Sequence, residues 1–146
     1  MSHRVRWVGG SQFWAETESG HCLTMQGLPE EGEVNVAARP MELLLAGMGG
    51  CTGYDVMSIL KKARQDVRGL VIEMTAERAP EAPKVYTSIH VTYHVSGKGI
   101  KEAQVKRAVE LSADKYCSAS VMLGQTAKIT HSWVITEIEE PSAAEA

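Results

Sequence analysis

Two cysteines far apart in the sequence are the residues best suited to chemistry. Cys51 ends the run RPMELLLAGMGGC at 39–51, and Cys117 lies in DKYCSASVML at 114–123. A thiolate is a nucleophile toward peroxides and disulfides, and two adjacent thiols can cycle between dithiol and disulfide. Gly47, Gly49 and Gly50 crowd the approach to Cys51, and a glycine inside a helix costs about 0.5–1 kcal/mol relative to alanine. A helix that accepts this cost gains a close approach by another helix, a second thiol or a small substrate. The competing reading, the commoner fate of a cysteine, is a core thiol packed as a small hydrophobe. Helical spacing puts Leu44, Met48 and Asp55 on the side of Cys51. The apolar rim suits an organic substrate. Asp55 opposes a thiolate, so a nucleophilic Cys51 needs a cation from elsewhere.

Arg39 and Glu42 are the charged candidates for that task. As a pair they would hold a guanidinium beside the thiolate and orient a peroxide. In the plainer reading, Glu42 favours the dipole of a first helical turn and Arg39 is a solvated loop residue. Nine residues separate Glu42 from Cys51, which is half a turn out of phase on a straight helix. Either the glycines bend the helix or Glu42 points elsewhere. For Cys117 the functional reading is a resolving thiol that attacks a sulfenic acid on Cys51, which requires the two α-carbons to come within roughly 7 Å. Cys22 falls in a predicted early strand and is read as a bystander.

His90 and His94 share one face of a predicted strand, opposite Ile89, Val91, Tyr93 and Val95, which favours a solvated sheet face over a metal site. His131 is read as solvated or hydrogen-bonded. No Ser-His-Asp order, Walker loop or G-x-G-x-x-G signature is present, and the GMGG segment has no phosphate-binding lysine after it.

The elements that must position these thiols follow from periodicity. Residues 5–10, 12–18 and 22–27 alternate with period two between glycine turns, predicting a three-stranded meander. After a polar loop at 28–39, Pro40 opens a long helix running to about 66, apolar on several faces, with Gly69 as its stop. Strands are predicted at 71–79 and 85–96, joined through 80–83. In the second strand Val85, Thr87, Ile89, Val91, Tyr93 and Val95 form one face. A helix from 101 to about 116 turns Ala103, Val105, Val109 and Leu111 inward, followed by a short helix at 118–124 and a strand at 128–139. The tail at 140–146 is expected to fray. This order predicts one α+β domain over 1–146 with a mainly antiparallel sheet.

Bulk properties exclude several partners. A chain of 146 residues with 44% hydrophobic and 23% charged residues is ordinary for a globular domain, and a net charge of −3 gives no general attraction for nucleic acid or anionic membrane. The apolar run 43–50 is far below the roughly 20 residues of a membrane span. No secretory pattern opens the sequence, so a cytoplasmic location is expected. Three cysteines without a C-x-x-C argue against a disulfide framework or a four-cysteine zinc site.

The segment RPMELLLAGMGGCTGYDV at 39–56, followed by DKYCSASVML, resembles the OsmC/Ohr family of thiol-dependent peroxidases, and the chain as a whole is most similar to its YhfA-like branch. The similarity runs from about residue 5 to 139. It implies an OsmC-like α+β fold around a long central helix, in an intertwined homodimer with strands from both chains. It also implies Cys51 as peroxidatic thiol and Cys117 as resolving thiol; Glu42 and Arg39 are this chain's candidates for the family's active-site glutamate and arginine. Organic hydroperoxides would be the substrates, and lipoyl-type dithiols or low-molecular-weight thiols the reductants. No metal or organic cofactor is implied. Three departures stand out. Met41 occupies the position after the proline where characterised members carry their glutamate, with Glu42 one later. The early turn 9–11 lacks the family's arginine, leaving Arg39, and Ser118 replaces the proline that often follows the second cysteine. The alternative they motivate is a redox-sensing or small-ligand-binding protein with little or no turnover.

Overall fold

Gly9 and Gly10 both adopt positive φ, 117° and 50°, and so turn the chain where a side chain would be strained. This turn joins β1 (Arg4–Gly9) to β2 (Gln12–Glu16), and β3 (Cys22–Gln26) completes the expected antiparallel meander. The computed structural model describes residues 2–139, so the tail expected to fray at 140–146 lies outside the described residues.

The chain forms two compact units, Met1–Ala46 and Gly47–Ala146. In the first, the loop after β3 is held by one buried side chain. Gln26 donates to the Ser11 hydroxyl and the Val34 carbonyl and accepts from the Val36 amide. Glu33 closes the same loop by accepting from the Ser11 amide and hydroxyl and from the Glu30 amide. Those three bonds hold its carboxyl below the usual range.

Helix α1 (Pro40–Lys62) starts in the first unit and continues through the second. Pro40 stands at its first position, where the missing N–H has no partner to lose. By length and composition α1 would suffice to cross a membrane, with a mean hydropathy of 1.3 over its most apolar window. Buried core helices meet the same criterion.

In the second unit β4 (Asp66–Arg78), β5 (Tyr86–Lys98) and β6 (Lys128–Glu137) form a sheet in that order. The β4–β5 pair is antiparallel and the β5–β6 pair parallel. The crossover that a parallel pair needs is supplied by α2 (Glu102–Leu111), a π-helical turn at Ser112–Tyr116 and α3 (Ser118–Leu123). Ile89, Val91, Tyr93 and Val95 form the buried face of β5, with Val56, Leu60, Val105 and Val109 also in the core. Gly49 and Gly53 of α1 lie directly over Met74 and Ile72 of β4, so the close neighbour is a strand and not a helix, thiol or substrate, and a Cβ on Gly47 or Gly50 would meet nothing within 4 Å among the described residues.

Several boundaries differ from expectation. Helix α1 ends at Lys62, not near 66, because Arg64 takes a left-handed backbone (φ 57°) and turns the chain into β4. Gly69 therefore sits inside β4, where an added Cβ would lie 2.5 Å from the Ser96 hydroxyl. In β5 the inward alternation starts at Ile89, since a register shift against Arg78 leaves Tyr86 buried and Thr87 exposed. The second helix gives way to the π turn after Leu111, and Ala108 is buried where Ala103 was expected.

Candidate thiol site

One turn of α1 in the C-terminal unit carries Cys51, Thr52 and Asp55. A spacing of four residues sets Cys51 and Asp55 on the same helical face. The other thiol arrives at the entry to α3, where Cys117 has an extended backbone and its Sγ accepts the Ser120 amide at 3.4 Å. The two sulfurs and an Asp55 carboxylate oxygen all lie within 4.8 Å of one another, and both cysteines are free thiols. A disulfide spans about 2.05 Å, so forming one draws the sulfurs together by less than about 3 Å.

The thiols differ in their surroundings. Cys51 is half-buried, whereas Cys117 is fully buried. Burial pushes the Cys117 thiol up, and the neighbouring Cys51 adds to the effect, while the bonds from Ser120 oppose it. Cys117 is thereby kept as a neutral thiol, and the more open Cys51 meets solvent first.

Beside the sulfurs runs a chain of hydroxyls whose polarity follows from one hydrogen per group. Ser112 Oγ donates to Asp55 Oδ2 at 3.1 Å. Having spent its hydrogen, Ser112 accepts from Thr52 Oγ1 at 2.8 Å. Thr52 in turn accepts from the Tyr93 phenol at 2.8 Å, leaving Tyr93 to accept from His131 Nδ1 at 3.4 Å. Thr52, Ser112 and Tyr93 are fully buried. Burial raises the Tyr93 phenol and lowers the His131 imidazole, so both stay neutral at pH 7. Asp55 also lines a cavity of about 330 Å³ together with Tyr54, Ile59, Lys62, Arg107 and Tyr116.

The other residues singled out from the sequence are placed as follows. Arg39 is the N-cap of α1; its carbonyl accepts the Leu43 amide, and its amide donates to Glu42 Oε2 at 2.8 Å. Glu42 therefore supplies one half of a capping box, the bond from the third helical residue back to the N-cap amide, within the N-terminal unit. The Arg39 guanidinium donates to the Ala37 carbonyl at 3.1 Å instead of pairing with Glu42. Cys22 is exposed on β3. His90 is half-buried and bonded to Thr130 and Ser132, while His94 lies 3.8 Å from Glu73. Sequence reasoning missed Thr52, Ser112 and Tyr93 and left His131 without a role. Thr52 adjoins Cys51, the one local cue; nothing in the spacing ties Ser112 to either.

Comparison with known proteins adds four findings. The family described as OsmC-like protein matches residues 31–132. Protein YhfA of Escherichia coli K12 is 44% identical over 135 residues, covering 92% of this chain and 98% of the relative. Among solved structures, a hypothetical protein from Aquifex aeolicus VF5 superposes with TM-score 0.82 at 31% identity, covering 94% of this chain and 97% of that one. The organic hydroperoxide resistance protein OhrB of Bacillus subtilis shares the fold at 16% identity, with TM-score 0.62 and coverage of 92% and 98%.

Proposed function

The chain belongs to the OsmC-like protein family, and on that premise we propose that it reduces organic hydroperoxides with Cys51 and Cys117 as a redox pair. The observation that carries this reading is the convergence of the two sequence-remote sulfurs within 4.8 Å. The name of the Bacillus subtilis OhrB, which shares the fold, points to the same substrate class.

In the proposed cycle the Cys51 thiolate attacks the distal peroxide oxygen. The O–O bond breaks, the alkoxide leaves and takes a proton, and a sulfenic acid remains on Cys51. The Cys117 sulfur then attacks the Cys51 sulfur; the S–S bond forms, and hydroxide leaves with the Cys117 proton as water. A lipoyl-type dithiol or low-molecular-weight thiol reopens the disulfide by exchange and is itself oxidised. Glu42 and Arg39 are proposed to support the attack of Cys51 on the peroxide in a homodimer, the assembly in which two chains would build each site. A reducing cytoplasm would keep the pair ready between turnovers.

A second reading is a peroxide sensor without turnover. It is favoured by the N-cap of α1, where Glu42 is engaged by the Arg39 amide and the Arg39 guanidinium by Ala37. Stopped-flow reduction of cumene hydroperoxide with excess dihydrolipoamide separates the two readings. The enzyme consumes many equivalents and loses this on Cys51→Ser; the sensor stops at one. Rates unaffected by Cys51→Ser would end both. Size-exclusion chromatography tests the dimer, and a monomer at micromolar concentration would refute it.

A further inference from the structure

Two sulfurs and a carboxylate meet at one point of the C-terminal unit, and the peroxide chemistry above uses only the sulfurs. Every pair among Cys51 Sγ, Cys117 Sγ and the Asp55 oxygen is within 4.8 Å. A tetrahedral zinc ion, with Zn–S of about 2.3 Å and Zn–O of about 2.0–2.2 Å, spaces such ligands by roughly 3.5–3.8 Å. Side-chain rotations of about an ångström would bring the three donors onto one ion. We propose that the reduced protein binds one thiophilic divalent cation of the Zn²⁺ type through Cys51, Cys117 and Asp55, and that disulfide formation expels it. The proposal rests on reading the two cysteines as a redox pair.

The surroundings suit a metal site. Asp55 uses Oδ2 to accept from Ser112, and Oδ1 has no hydrogen-bond partner among the described residues. Ser112 is itself fixed by Thr52 and through it by Tyr93. Such outer bonds orient a ligand and are part of most metal sites. The Ser120 amide directed at Cys117 Sγ fixes where that sulfur points. Two thiolates, one carboxylate and a divalent ion sum to a single negative charge. Lys62 and Arg107 line the cavity that Asp55 also lines and form no ion pair with a described residue. Thiolate donors select zinc-like ions over magnesium or calcium. Three protein ligands leave the fourth position to water.

The chemistry balances. On binding, the ion replaces the two thiol protons, which leave to solvent. Two-electron oxidation then joins the sulfurs. A hydroperoxide acting as oxidant takes up two protons and becomes an alcohol and water, and the ion departs because a disulfide offers no thiolate. A bound ion would thus occupy both sulfurs, and peroxide would have to displace it.

Anaerobic titration of the reduced full chain with Co²⁺, followed by absorption, tests the site. The expected result is a sulfur-to-cobalt charge-transfer band that saturates at one ion per chain, yields to Zn²⁺ and disappears when diamide closes the disulfide. Asp55→Asn, close to isosteric, is expected to weaken binding at least about tenfold, the lower end of losses seen on removing mere outer partners of metal ligands. As a readout independent of any variant, Zn²⁺ is expected to shield Cys51 and Cys117 of the unsubstituted protein from alkylation. No charge-transfer band, unshielded thiols or an Asp55→Asn affinity equal to the parent's would overturn the proposal. A band in a protein that consumes no hydroperoxide would uphold the metal site while removing the peroxidase reading.

Discussion

The Thr52 hydroxyl lies 2.8 Å from the Tyr93 phenol, with both residues fully buried. The turn of α1 that carries Cys51 is thereby tied to the central strand of its own unit. Because Thr52 also bonds Ser112, one threonine joins the helix, the strand and the π turn that leads to Cys117. Placement of the two sulfurs depends on polar bonds as much as on apolar packing.

Thr52→Val keeps the shape and removes the hydroxyl, stranding the Tyr93 O–H, while Ser112 keeps its bond to Asp55. Unsatisfied buried groups of this kind cost about 1–3 kcal/mol. The urea midpoint is expected to fall accordingly, and Thr52→Val with Tyr93→Phe should cost less than the sum of the single changes. An unchanged midpoint for Thr52→Val would show that the hydroxyl chain holds nothing in place.

Burial lowers the His131 imidazole from its ordinary 6.5. As pH falls below about 6.5, the unfolded chain therefore takes up this proton before the folded one does, and stability declines. Cys117 has the opposite shift, raised from 9.0 chiefly by burial. As pH climbs toward and past 9.0, the unfolded thiol ionises first, and stability declines there too. Urea midpoints from pH 5 to 10 should trace a dome. His131→Gln should flatten its acid limb and Cys117→Ser its alkaline limb; a variant limb as steep as the parent's contradicts the assignment.

Glycines that look alike in sequence should behave differently. A Cβ on Gly97 would stand 2.1 Å from the backbone oxygen of Asp66, whereas one on Gly50 meets no atom of its unit within 4 Å. Gly97→Ala should therefore destabilise by about 1–3 kcal/mol, the range for overpacked sites. Gly50→Ala should stabilise the helix by about 0.5–1 kcal/mol. If calorimetry shows Gly50→Ala to be destabilising instead, a second chain packed against that helix face is the expected cause.

Much of this arrangement is legible in the sequence because it is periodic. The alternation from Ile89 to Val95 announces β5, and the glycine turns of the first strands and Pro40 announce their elements. Thiol chemistry and the glycines before Cys51 single out Cys51 and Cys117, and family likeness adds their roles. What escaped is non-periodic. A left-handed Arg64 leaves no compositional sign, so the sequence pattern carries α1 several residues past Lys62 and offers Gly69 as its stop. The π turn interrupts a pattern that otherwise reads as continuous helix. Ser112, Tyr93 and His131 come from three elements and meet only after folding, so no spacing along the chain relates them to Asp55.

The central claim is that the two sulfurs act as one redox pair. Its most direct measurement is peptide mass spectrometry of the reduced protein after one equivalent of cumene hydroperoxide. The account predicts a Cys51–Cys117 disulfide as the main product, with Cys22 still free, and a sulfenic or sulfinic acid on Cys51 in Cys117→Ser. Recovery of both thiols unmodified, or oxidation of Cys51 with Cys117 left free in the unsubstituted protein, would contradict it.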